Sequence, residues 1–190
     1  MIKDPNKEKP SRIVLGIDPG SNIMGFGIIV CKGKENKLIE MDVHKSAATD
    51  DSIARLKMIF RRTTQLIRDF GVTEMAIEDP FYGKNVQSML KLGRAQGMAI
   101  AAAVHYDIPV FQYAARKIKQ SITGNGSASK EQVASMLQRL LAIEELPKHL
   151  DATDGVAVAL CHINQNLAVK GGDKPNSWAA FISKNPGRVK

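Results

Sequence analysis

Apolar and polar positions along the chain repeat on two different periods. Residues 12–18 (RIVLGID) form an apolar, β-branched run halted by Pro19 and Gly20, and they read as a strand. Residues 25–31 (GFGIIVC) and 38–44 read as a second and third strand, with KGKEN (32–36) as the turn between them. Three strands joined by short turns predict an antiparallel meander. The period then lengthens. Ile53, Leu56, Ile59, Phe60, Thr63, Ile67 and Phe70 recur at three and four, which predicts a helix over 53–70. Asp50 or Ser52 would cap its start and Gly71 its end. A short strand at 74–78, a long helix at 84–105 and a last strand at 109–113 follow. An amphipathic helix at 129–141 and a final helix at 151–166 complete the set. The order βββαβαβαα predicts an α/β domain with a mixed five-stranded sheet, antiparallel first and parallel where helices cross over. Residues 1–11 read as a flexible leader, 12–167 as the folded domain and 168–190 as a polar basic tail.

Side-chain alternation on the strands singles out certain acids. In the first strand Ile13, Leu15 and Ile17 share one face, while Val14, Gly16 and Asp18 share the other. In the fourth, Ala76 and Glu78 share a face in the same way. Each strand therefore ends in a carboxylate two places after a small residue, and the small residues admit a closely packed helix. The final helix fits that place, because Asp151 and Asp154 stand three apart in its first turn with Val158 and Cys161 continuing their stripe. Each acid alone has an ordinary role, as a turn former, a solvated strand end or a helix cap. Together their faces agree, and Asp18, Glu78, Asp151 and Asp154 are expected to converge. Clustered carboxylates repel and call for a cation. All-oxygen donors suit hard Mg²⁺ or Mn²⁺, and a pair of such ions is the usual clamp for phosphodiester hydrolysis.

Charge agrees with that chemistry. Lys and Arg number 27 against 19 Asp and Glu, a formal +8 among 190 residues, which points to a polyanionic partner, nucleic acid before membrane. Apolar residues at 44% exclude global disorder. The two cysteines, Cys31 and Cys161, sit in apolar runs and form neither a disulfide framework nor a zinc pattern. The polar start and the absence of a membrane-length apolar run predict a soluble cytoplasmic protein with no membrane partner.

At these same residues the chain resembles the RuvC family of bacterial Holliday-junction resolvases. LGIDPGSNIMGFGII (15–29), RLKMIF (55–60), AIEDPFYGKN (76–85), LKLGRAQGMAIAAAV (90–104), the 110–133 segment and DATDGVAVALCH (151–162) carry the likeness, in family order and spacing. The resemblance implies an RNase H-like fold. It implies Mg²⁺-dependent resolution of four-way DNA junctions by a homodimer that nicks two opposed strands, with Mn²⁺ as a substitute ion and two ions per site. Its catalytic, metal-binding acids fall on Asp18, Glu78, Asp151 and Asp154. A branch-migration complex is a further implied partner.

The resemblance also assigns DNA contacts. Phe81 would stack on unpaired bases near the crossover, assisted by Tyr82 and with Lys84 beside them, although Asp79-Pro80 adds a charge and a rigid residue there. Lys119 and Lys130 match DNA-contacting lysines of the family, and Arg116 lies in the same basic segment. Between them TGNGSAS (123–129) is expected to offer backbone N–H groups and hydroxyls to phosphates. The long helix is apolar or small almost all round, and Gly93 and Gly97 would allow close approach to a second helix, the dimer contact of the family. His162 lies about three helical turns from Asp151, too far to join the same metal site. Trp178, Phe181 and Ile182 form an apolar knot in the tail with no assigned role. GIDPGS followed by GFGII also resembles the first phosphate loop of actin-like and sugar-kinase ATPases, but those need two such domains and a second phosphate loop, for which 190 residues are expected to leave no room. A junction-binding protein without catalysis has no use for gathered carboxylates, and a related RNase H-like nuclease acting on RNA or another branched DNA is the alternative that the residues leave open.

Overall fold

A computed structural model describes residues 12–20, 22–33, 35–47, 51–79 and 85–170, with side chains as far as residue 165. The expected leader, most of the tail with its Trp178 knot, and Phe81, Tyr82 and Lys84 lie outside the described residues. The order is β1 (Arg12–Asp18), β2 (Ile23–Lys32), β3 (Glu35–Lys45), α1 (Ser52–Phe70), β4 (Glu74–Asp79) and α2 (Val86–His105). Then come β5 (Val110–Ala114), α3 (Ala115–Thr123), α4 (Lys130–Leu140) and α5 (Asp151–Lys170). The sheet order is β3-β2-β1-β4-β5. β1, β2 and β3 pair antiparallel, while β4 and β5 join parallel to β1. This is the mixed five-stranded sheet that the pattern predicts, in the RNase H-like arrangement that the resemblance implies.

β1 is central because it is apolar on both faces. Leu15 and Ile17 enter one core with Phe26, Met75 and Ile77 beneath α1 and α2. Val14 enters the other with Ala76, Val156 and Val158 beneath α5. That helix lies unusually close to the strands. A methyl group added at Gly16 would collide with the Gly155 carbonyl, and one at Gly25 with the Asp151 carbonyl. Gly155 in turn presses on the Phe26 backbone. Gly25 is the register partner of Asp18, so this contact holds the start of α5 beside the end of β1.

Several boundaries differ from the expectation. β2 and β3 are longer, their antiparallel pairing running from Ile23↔Lys45 to Lys32↔Glu35. α1 is capped by Asp51, whose carboxylate accepts from the Ala54 N–H at 2.7 Å. α2 begins at Val86, capped by Asn85, rather than at 84. α5 runs to Lys170, into the expected tail. The whole of α3 was absent from the pattern. Its buried face rests on only Ile118 and Ile122, too few apolar positions to stand out in a basic stretch.

At the start of β4 a partly buried polar chain ties four elements together. Arg12 donates to both Glu74 carboxylate oxygens, at 2.8 and 2.6 Å. His162 Nε2 lies 2.7 Å from Glu74, and the Tyr113 hydroxyl lies 2.7 Å from His162 Nδ1. An ionised Glu74 only accepts, so Nε2 carries the proton and, in a neutral ring, Nδ1 accepts from Tyr113. Cys31 and Cys161 are both free and buried. No helix among the described residues is long and apolar enough to cross a membrane.

Candidate active site

Asp18 ends β1, Glu78 is the penultimate residue of β4, and Asp154 projects from the first turn of α5. β1 and β4 are parallel neighbours with Ile17 opposite Ile77, so their terminal acids come out at the same edge. All three acids line one cavity of about 280 Å³, whose walls also carry Lys119 and Lys130. Asp151 is not among the lining residues. It joins through Lys130, whose ammonium donates to Asp151 and lies 2.6 Å from each of Asp151 and Asp154.

Electrostatics within the cavity are uneven. Burial, then the repulsion of Asp154, raises the Asp18 carboxyl to about 6. Glu78 rises to about 8, first through burial and then through Asp18 and Asp154. Asp154 is also raised by burial, against the pull of Lys130. Asp151, further out, is lowered by its hydrogen bond to the same ammonium. Burial disfavours the Lys130 ammonium, but its bonds to Asp151 and Asp154 outweigh that and hold its pKa above the ordinary value.

Half-buried carboxylates whose pKa values are raised by burial and by one another are a donor set short of positive charge, and oxygen donors of this kind fit a hard divalent cation. As they are oriented, no three acid, histidine or cysteine groups among the described residues close around a single point. Lys130 supplies the cation between two of the acids instead.

Lys119 reaches the cavity because α3 turns it there. Arg116 is absent from the lining, and its side chain lies across Gly126. Many amides of the TGNGSAS turn are already spent within the chain, contrary to the expectation that they face phosphates. Asn125 takes the Ser127 N–H, Thr123 takes the Asn125 N–H, and Ser129 and Gln132 form a reciprocal capping box. Short polar side chains close turns on themselves in this way. His162 is bonded to Glu74 and stands apart from the acids, as its spacing implied. His149 pairs with Lys45 at 2.8 Å. Sequence reasoning missed Gln96, which donates to the Glu78 carbonyl at 3.3 Å and to the Asp79 carboxylate at 3.1 Å. The only signal was a polar residue interrupting the small, apolar run of α2.

Comparison with known proteins decides the lineage. The family described as crossover junction endodeoxyribonuclease RuvC matches residues 14–162. The chain belongs to the RuvC family. RuvC of Cytophaga hutchinsonii is 53% identical over 97% of this chain and 93% of its own length. RuvC of Porphyromonas gingivalis is 52% identical over 94% and 97%. Among solved structures, Thermus thermophilus RuvC in complex with Holliday junction substrate is 30% identical, with a TM-score of 0.77 over 83% of this chain and 96% of that one. The yeast mitochondrial resolvase Ydc2, at 14% identity and a TM-score of 0.61, shares the fold. The RuvC match begins inside β1 and ends at His162, so it spans all the elements that carry the acids.

Proposed function

We propose that this chain is a crossover junction endodeoxyribonuclease, which resolves four-way DNA junctions by paired, symmetric phosphodiester cuts. The observation that carries the reading is the single cavity lined by Asp18, Glu78 and Asp154 with two lysines on its wall. Its support in lineage is the RuvC match across the domain.

Asp18, Glu78, Asp151 and Asp154 are the residues that would hold Mg²⁺, two ions per site, with Mn²⁺ as a substitute. Bound there, divalent ions would supply Lewis-acid activation of a water and charge stabilisation for the leaving oxygen. The rest falls to the chain. Small residues under α5 keep its acids against the ends of β1 and β4, so the reacting phosphate meets a fixed donor set. Lys119 and Lys130 neutralise phosphate oxygens that approach the same cavity, and Lys130 exchanges its carboxylate partners for them. Gln96 fixes the backbone of Glu78. Phe81, Tyr82, Lys84 and Arg116 contact the DNA outside the reacting centre.

The working unit is a homodimer, which places two such sites on one junction. Val86, Leu90 and Val104 of α2 are 65%, 51% and 61% exposed. A methyl group at Gly93 or Gly97 would meet nothing within the chain, so no intrachain neighbour covers this face among the described residues. The protein works in the cytoplasm. The test is a pair of variants, Asp18→Asn and Glu78→Gln. Both should bind a four-way junction as the parent does and cut it at least ~100-fold more slowly in Mg²⁺, a loss of about 3 kcal/mol in transition-state stabilisation. Cutting at the parent's rate by either variant would overturn the assignment.

A further inference from the structure

A second cavity, of about 240 Å³, lies on the opposite face of the sheet from α5, in the cleft between the N-terminal halves of α1 and α2. Arg55, Lys91 and Arg94 surround it, and Ser52, Leu56, Ile59 and Ala95 complete its lining. None of the three cations has a carboxylate partner among the described residues. The acids nearest in sequence are engaged elsewhere. Asp51 caps α1 through the Ala54 N–H, and Asp79 accepts from Gln96. Arg55 Nε is buried with no hydrogen-bond partner, while its Nη1 donates to Asn22 at 2.6 Å. Three uncompensated cations around a partly apolar cavity concentrate positive potential there, and the start of α1 adds its own partial charge.

The cleft's position names its ligand. Asn22, which holds Arg55, follows Asp18 by four residues in the β1–β2 connection. On the other wall Ala95 precedes Gln96, whose side chain is bonded to the backbone of Glu78. The cleft and the acidic cavity therefore flank the same end of the sheet, one on each face. We propose that this cleft is a second phosphate-binding site, which grips a backbone phosphate of the DNA whose scissile strand lies on the acids. Guanidinium forks and an ammonium suit a phosphodiester oxygen pair, and the volume admits the group with water at roughly 30 Å³ per molecule. An acidic protein segment would satisfy the same charges. The shared end of the sheet favours the DNA backbone.

This inference rests on the junction reading, and one titration separates the two. Junction and linear duplex binding are measured in EDTA by fluorescence anisotropy, between about 50 and 200 mM salt. Lys91 and Arg94 are both exposed, so their substitution leaves the core intact. The double variant Lys91→Gln/Arg94→Gln should lose about 0.9 from the slope of log affinity against log salt, one phosphate's worth. Lys91→Arg should keep the parent's slope. Arg68→Gln, roughly 20 Å further along α1 at the helical rise, should keep it too. A double variant with the parent's slope overturns the cleft as a phosphate site and leaves the acidic site standing; a parent that binds junction no better than linear duplex overturns the reading beneath both.

Discussion

Glu74 and Glu78 stand four positions apart on the same strand, and their surroundings give them opposite character. The Arg12 fork holds the Glu74 carboxyl down at about 2, against its burial and with His162 assisting. Burial beside Asp18 and Asp154 pushes Glu78 up to about 8. A depressed carboxylate stabilises the fold at pH above its unfolded value near 4.5 and loses that contribution as pH falls towards 2. His162, lowered by burial, acts in the same sense from near 6.5 downwards. Glu74→Gln should therefore lower stability at pH 7 by roughly 1–2 kcal/mol, a figure discounted for solvent screening. Thermal melts of parent and variant should draw together as pH approaches 2, and a gap that widens in acid would contradict the pairing. At this scale the sequence was informative about the acids, because a period of two fixes which strand residues share a face. It was silent about what pairs with them. His162 meets Glu74 across 88 residues, and Lys130 meets Asp151 across 21. No local pattern records either.

Among elements, the contact of α5 with the sheet decides whether the site exists. Gly16 and Ala76 leave room for a helix, and α5 lies against that face. The complementary gap on the helix, Gly155 against the Phe26 backbone, was not anticipated, since a lone glycine in a helix gives no sign of what it faces. Gly155→Ala gains helix propensity but drives a methyl into backbone that cannot yield. Urea unfolding should show a loss of about 1–3 kcal/mol, with slower junction cutting because Asp151 and Asp154 ride on the same helix. Parent-like stability would mean that the helix can move away at little cost. α3 escaped the pattern because two buried isoleucines do not make a visible period, yet it is the element that brings Lys119 to the acids. The turn after it misled for the opposite reason. Its Gly, Ser and Asn content resembles a phosphate loop, but the same side chains close on their own amides.

For the whole molecule, the formal +8 divides into distinct places. Lys119 and Lys130 stand at the acids, while Arg55, Lys91 and Arg94 stand on the other face at the same end of the sheet. The proposed homodimer has its own prediction. A side chain begun at position 97 meets nothing among the described residues, so Gly97→Leu should leave the monomer's fold intact while crowding the exposed face of α2. Light scattering should then report a monomer with the parent's secondary structure, and cuts in the two opposed strands should lose their pairing. A persistent dimer would move the interface elsewhere. The most direct test of the central claim maps cleavage products in Mg²⁺ for the parent and for Asp154→Asn. Four-way junction, linear duplex and RNA–DNA hybrid are offered side by side. Symmetric nicks confined to the junction, and absent with Asp154→Asn, are the predicted result; equal cutting of linear duplex, or cutting that survives the substitution, would contradict it.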